Sequence, residues 1–344
     1  MNIRLSAFAA AGVALAFLSQ SAEPAHAENG KWVIALSNGY YGNTWRHQMV
    51  DAYEAAARQA KEQGKIAEFI TLNGDGSVNA QVGHFNDLIL RGVDAILVNA
   101  ASEVSLNGVI AKACAAGIKV IAIDSVPTAD CAWKLKDDFT DYGTQGTLKI
   151  AEVIGGKGNV LVVRGVKGSG PDAQIYAAEK SVVAKNPDMK IVGEVYGGWS
   201  GPVAQAAVTA ALPNLPHIDA VLGQGGGDAY GILQAFLQSP SYADKMPVIM
   251  GGGEADFIKW WQGEAKKTGY STVSVNPSPT IGEAGLWYAL AILNGANPPK
   301  EQLHPLTIIT NDNLESFTDL KPNQMVQAPR DESWVINNLL KGAQ

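Results

Sequence analysis

The feature that most limits the possible folds is an alternation renewed along most of the chain. A short apolar run is followed by a loop of Gly, Asn and Asp, then by an amphipathic stretch of helical period. Trp32–Leu36 reads as a buried strand. Asn43 is placed to cap a helix to Gln63, with Met49, Tyr53, Ala56, Ala57 and Ala60 on one face and Gly64 as its stop. Strands are predicted at Ile66–Leu72, Ala95–Val98 and Ile118–Ile123. Helices carrying Val78, Val82, Phe85 and Ile89, then Leu106, Ile110 and Ala113, lie between them. The pattern restarts, with strands at Val160–Val163, Ile191–Val195, Ala220–Leu222, Val248–Met250 and Thr272–Val275. Helices are predicted over Ala173–Ala184, Val203–Leu212, Asp228–Gln238, Ala255–Gln262 and Thr280–Leu293. A strand at Leu306–Ile309 is read as a return to the first unit, and a short helix is placed near Trp334–Leu340. Apolar strands alternating with amphipathic helices imply an α/β architecture of parallel sheets covered on both faces.

A chain of 344 residues exceeds what one core usually fills, and 47% apolar residues supply two cores. Arg4 precedes an apolar run from Ala7 to Leu18, and Ala25-His26-Ala27 offers a small-x-small cleavage pattern. Residues 1–27 are therefore expected to be an export leader, too short to span a bilayer, with the mature chain beginning near Glu28 in the periplasm. The alternative is a buried first helix. The net charge of −7, without a Lys/Arg cluster, argues against nucleic acid and anionic membrane as partners. Cys114 and Cys131 form no C-x-x-C pair and the His residues are scattered, so no metal or cofactor is expected. In an oxidising compartment these two cysteines are disulfide candidates. The alternative is two buried thiols.

In open α/β sheets, ligands sit beyond the carboxyl ends of the strands. The loops there are rich in Asn, Asp, Gly and aromatic residues: Ser37–Asn43, Asn73–Gly76, Asp124-Ser125, Tyr196–Trp199, Gly223–Asp228 and Gly251–Glu254. Carboxylates and amides bind vicinal hydroxyls, and aromatic faces cover the C–H face of a sugar ring. The glycine runs match neither G-x-G-x-x-G nor a P-loop.

The order of these elements resembles the type I periplasmic sugar-binding proteins of ABC importers, in the ribose- and galactofuranose-binding group, over about Lys31 to Thr310. The resemblance is carried by Ile34-Ala35-Leu36 through Asn43-Thr44-Trp45-Arg46, by Leu90–Asn99, by Ala116–Asp124, by Asp141-Tyr142 with Gly146, by Ala220–Gln224 with Gly231, and by Asn276 with Gly282. It implies two Rossmann-like lobes with parallel sheets, joined by a multi-strand hinge. The N-terminal lobe would be 28–139 plus 277–310, and the C-terminal lobe and tail 140–276 plus 311–344. Residue by residue it carries ligand roles to Asn43, Trp45, Arg46, Asp124, Asp141, Tyr142, Trp199 and Asn276. Where the family has Asn-Asp and Phe-Asp in the second lobe, this chain has Gly225-Gly226 and Gly252-Gly253. Asp228 and Glu254, or the backbone N–H groups of these loops, are the expected replacements.

The implied function is a periplasmic solute-binding component, not an enzyme. It would hold a monosaccharide or small polyol between the lobes, close on it, and present the closed form to a membrane permease. A monomer is expected. One alternative is a sugar sensor read by a membrane receptor. Another is a secreted carbohydrate-active enzyme using Asp124 and Asp141, against which stands the lack of a G-x-S-x-G elbow or metal cluster. Hinge crossings are expected near Phe139-Thr140, Val275-Asn276 and Thr310-Asn311.

Overall fold

The computed structural model describes residues 32–341, so the leader expected over 1–27 lies outside the described residues. The first half builds β1 (Trp32–Asn38), α1 (Thr44–Glu62), β2 (Ile66–Asn73), α2 (Val78–Arg91), β3 (Ala95–Asn99), α3 (Asn107–Ala115), β4 (Lys119–Ile123) and β5 (Trp133–Asp137). Local chemistry sets these boundaries. The Asn43 side chain accepts from Arg46 N at 2.8 Å to start α1, and Ser77 caps α2. Gly92 ends α2 in the left-handed region at φ 65°.

The chain continues through α4 (Phe139–Val153), β6 (Lys157–Arg164), α5 (Gly170–Ala184), β7 (Asp188–Tyr196), α6 (Gly201–Ala211), β8 (Ala220–Gly223), α7 (Ala229–Leu237), β9 (Val248–Ile249), α8 (Ala255–Thr268) and β10 (Val273–Asn276). It ends with α9 (Ile281–Leu293), β11 (Glu301–His304), β12 (Thr307–Thr310) and α10 (Glu332–Asn338).

The first sheet has six parallel strands in the order β11-β5-β4-β3-β1-β2. Its two faces bury separate cores. Trp45, Met49, Tyr53, Leu97, Ile123 and Trp287 lie under α1 and α9, and Phe85, Leu88, Val98 and Ile110 under α2 and α3. The second sheet runs β7-β6-β8-β9, all parallel, between α4 and α5 on one face and α6, α7 and α8 on the other. A parallel bridge from Gly251 to Ser274 carries it on to β10, which pairs antiparallel with β12.

Two placements differ from the sequence reading. β12 lies beside β10, and Ile309 enters the second-lobe core, so the third crossing falls between His304 and Thr307. Four residues with a single buried apolar side chain do not declare which sheet they join. The tail also returns: Val335 of α10 and Leu339 just after it pack into the first-lobe core. Between them the segment from Asn323 to Arg330 bonds to both lobes. Asn323 N donates to Asp256 Oδ2 at 2.6 Å, Val326 N to Gly253 O at 2.7 Å, Met325 N to Gln48 Oε1 at 2.6 Å, and Arg330 N to Glu283 Oε2 at 3.0 Å.

A buried polar triad sits where two crossings leave the first sheet. Asp137 ends β5 and His304 ends β11, with Oδ1 and Nδ1 at 2.8 Å. Arg330 Nε lies 3.3 Å from His304 Nε2. Arginine only donates, so His304 accepts there and donates to Asp137 through Nδ1. Cys114 and Cys131 form a disulfide between the end of α3 and the loop before β5.

Candidate functional site

The carboxyl ends of the first-lobe strands carry a continuous polar chain. Asn73, Asn38 and Asn99 each end their strand, and Asp124 follows β4 directly. The register places Asn38 opposite both Asn73 and Asn99. Asn38 Nδ2 donates to Asn73 Oδ1 at 2.9 Å, and Asn38 Oδ1 accepts from Arg46 Nη1 at 3.2 Å. Arg46 Nη2 reaches Asp124 Oδ2 at 3.3 Å, and Asn99 Nδ2 donates to the same oxygen at 2.9 Å. Asp124 Oδ1 has no side-chain partner among the described residues, and the Ser125 backbone N–H also bonds to the carboxylate. Asp124 takes φ 57°, an uncommon conformation that Asp and Asn tolerate best among non-glycine residues. Arg46 starts from the first turn of α1 and lies 5.5 Å over the Trp45 ring. The Trp45 indole N–H donates to Pro277 O, fixing the ring against the second crossing.

Burial dominates the electrostatics. The Asp124 side chain is 9% exposed. Desolvation lifts its pKa to about 6, opposed by Arg46 and reinforced by Asp137. Desolvation also lowers the pKa of Arg46, against the pull of Asp124. On the other side of the cleft, burial drives the Tyr142 phenol well above its usual range, with Asp228, Glu254 and Glu179 adding to the effect.

Asp124, Arg46 and Tyr142 line one cleft between the lobes, whose empty space, open solvent included, is about 450 Å³. Asn43, Trp45, Arg46 and Asp124 form the first-lobe wall, Pro277 the hinge end, and Phe139, Tyr142, Pro171, Ile175, Trp199, Gln224 and Gly226 the second-lobe wall. A wider mouth shares Arg46, Pro171 and Trp199. Across it Glu103 reaches Gln174 Nε2 at 3.5 Å and lies over Gly170, bringing the lobes together. Six of the ten residues expected from the sequence therefore meet at the cleft, counting Asn43, Trp45, Arg46, Asp124, Tyr142 and Trp199.

The other four are placed elsewhere, each for a physical reason. Asp141 precedes Tyr142 on α4, and adjacent helical residues do not share a face; its Oδ1 accepts from Gln145. Glu254 is spent on backbone: Oε1 accepts from Ala229 N at 2.7 Å and Oε2 from Gly252 N at 3.1 Å. It thereby caps α7 and ties the two glycine loops. Asp228 is fully buried behind the loop, where desolvation and then Glu254 push its carboxyl well above the usual range. Asn276 donates to Val326 O of the tail at 2.7 Å.

The glycine loops are conformational necessities. Gly225, Gly226 and Gly227 take φ values of 80°, 70° and 121°. A Cβ on Gly252 would stand 2.2 Å from Gly225 Cα. Of these glycines only Gly226 lines the cleft, with Gln224 beside it in the same loop. Sequence reasoning had no signal for Pro171 and Ile175, whose spacing reads as core, nor for Phe139 and Pro277 at the crossings.

Residues 34–297 match the family of the periplasmic binding protein domain. An ABC transporter solute-binding protein from Thermobispora bispora is 36% identical, with a TM-score of 0.83 over 91% of this chain and 97% of that one. A xylitol-binding protein of Mycolicibacterium smegmatis is 26% identical over 72% of this chain and 70% of its own length. A solute-binding protein from Actinobacillus succinogenes, solved with D-allose, shares the fold at 22% identity and a TM-score of 0.73, over 83% of this chain and all of that one.

Proposed function

The chain belongs to the periplasmic binding protein family, and we propose that its cleft captures a monosaccharide or small polyol for an ABC importer. The family consists of extracytoplasmic solute-binding proteins, not enzymes. The observation that carries the sugar-or-polyol reading is the placing of Asn43, Arg46 and Asp124 beside the Trp45 ring on one wall and opposite the Trp199 ring on the other, around one cleft. Asp124 Oδ1 accepts from one hydroxyl while an Arg46 N–H donates to its neighbour, and the rings cover the C–H faces. The xylitol ligand of the Mycolicibacterium smegmatis relative belongs to the same chemical class.

Residues 32–138, 281–304 and 331–340 act as one lobe and 139–276 with 307–320 as the other, with the segment from Asn323 to Arg330 laid across both. Ligand contacts from both walls exist together only in the closed arrangement, so binding and closure are coupled. The leader is removed near Ala27, and the mature monomer presents its closed lobes to a membrane permease. Thermal unfolding against a panel of monosaccharides and polyols tests the reading. A ligand at a hundred times its Kd adds about 2.7 kcal/mol, and solution scattering with that ligand should show a smaller radius of gyration. A panel without a single stabilising sugar or polyol would overturn it.

A further inference from the structure

The two walls of the cleft are chemically unlike. Every unspent charged or amide group belongs to the first lobe: Asp124 Oδ1, the remaining Arg46 N–H groups, and Asn43 Nδ2, whose Oδ1 partner already accepts from Arg46 N. Opposite them stand Pro171 and Ile175, four residues apart on one face of α5, with Phe139, the Trp199 ring and Gly226. Gln224 is the one amide on that wall, and the backbone takes both its ends. Its Oε1 accepts from Gly165 N at 2.8 Å, and its Nε2 donates to Asp172 O at 3.4 Å. Two polar side-chain groups are left there among the described residues, the indole N–H of Trp199 and the hydroxyl of Tyr142. The Tyr142 side chain is fully buried, and its oxygen has no protein partner among the described residues.

An aromatic wall alone would suit the C–H face of any pyranose. An aliphatic pair does not, because ring hydroxyls point outward from the ring edge and Pro171 and Ile175 offer them nothing. Each hydroxyl pressed against that pair loses its water partners unreplaced, a loss on the order of tenfold in affinity or more. Resting on the sugar-or-polyol reading above, the geometry points to a ligand hydroxylated along one edge and bare along the other. It is a deoxy sugar or an alkyl-bearing polyol, whose methyl or methylene group lies against Ile175 and Pro171. Its vicinal hydroxyls meet Asp124 and Arg46, and one further hydroxyl meets Tyr142. This makes Ile175 the specificity-determining residue of the second lobe, and Tyr142 a binding residue that serves both kinds of ligand.

Calorimetry on matched pairs tests this with the unmodified protein: L-rhamnose against L-mannose, D-fucose against D-galactose, and 2-deoxy-D-ribose against D-ribose. In the pairs that bind, the deoxy member should bind about 10- to 100-fold tighter. Ile175→Thr, which keeps the branched shape and adds a hydroxyl, should narrow that ratio. Tyr142→Phe should weaken both members of a pair while leaving the ratio unchanged. Equal affinities, or tighter binding of the hydroxylated parents, would overturn the inference and leave the sugar reading standing. Silence from every pair, together with an unresponsive thermal panel, would remove the sugar reading and this inference with it.

Discussion

Replacing Asp124 by Asn should make the ligand-free protein more stable and the binding protein worse. A folded-state pKa near 6, against 3.8 for the free side chain, means that folding disfavours the charged form. Stability from this group is greatest below about pH 3.8, falls as pH rises through about 6, and stays low above. The difference, 6 minus 3.8 at 1.36 kcal/mol per unit, is about 3 kcal/mol. An amide has no charge to desolvate. Its oxygen, in the place of Oδ2, still accepts from Asn99 and Arg46, and Asn tolerates φ 57°. At roughly 2–4 °C per kcal/mol, ligand-free Asp124→Asn should melt about 6–12 °C above the parent at pH 8, the gap closing toward pH 4. Its affinity should fall about tenfold or more, because a charge-assisted hydrogen bond to ligand becomes an ordinary one. Calorimetric melts across pH, paired with titrations of the ligand found by screening, provide both readouts. A variant that melts below the parent at pH 8, or a gap that ignores pH, would refute the reasoning. Asp124→Ala is the poorer probe, since it adds left-handed strain of about 1–2 kcal/mol.

Reducing Cys114–Cys131, or replacing both residues by Ala, should cost on the order of 3 kcal/mol for a loop of this length; intact mass with and without reductant tests it, and two free thiols in exported protein would contradict it. Gln48→Ala leaves the buried N–H and C=O of Met325 unanswered, so melting should drop by the equivalent of about 1–3 kcal/mol and the ligand-free radius of gyration should rise; unchanged scattering would show that the tail does not restrain the lobes. Gly252→Ala forces two glycine loops apart and should lower both melting temperature and affinity, with an unaffected variant placing the contact elsewhere.

The doubly covered sheets were legible in the sequence because their central strands are nearly all apolar and their helices keep a clean period. β5 and β11 escaped for the same reason in reverse. Trp-Lys-Leu-Lys-Asp and Glu-Gln-Leu-His lie at one edge, where Lys134 and Lys136 both pair with Glu301 and few apolar side chains are buried. α4 begins Phe-Thr-Asp-Tyr-Gly-Thr-Gln-Gly, a poor helix by propensity. Its glycines are explained by packing alone: a Cβ on Gly143 would meet Ile175 O at 2.7 Å, and one on Gly146 would meet Met250 Cε at 2.1 Å. In the site, strand-end position pointed to Asp124 and the family resemblance pointed to Arg46, and both line the cleft. The direction of Asp228 and the engagement of Glu254 depend on loops whose successive positive φ angles no local pattern announces.

The discontinuous first lobe has a consequence for how the protein comes into being. Delivered N-terminus first, the chain presents β1 to β4 early, yet the helix α9, the edge strand β11 and the helix α10 that complete that lobe come last. Residues 139–276, by contrast, form a nearly self-contained run holding the second sheet through β10 and all its covering helices. The lobe begun second is therefore the one able to finish first. On the face that α1 and α9 share, the part that receives α9, over Leu97 and Ile123, stays uncovered until nearly the entire sequence has emerged. Long-range closure of this kind is slow and prone to aggregation, so the interval before residue 293 is delivered is when this chain most needs a chaperone's shelter.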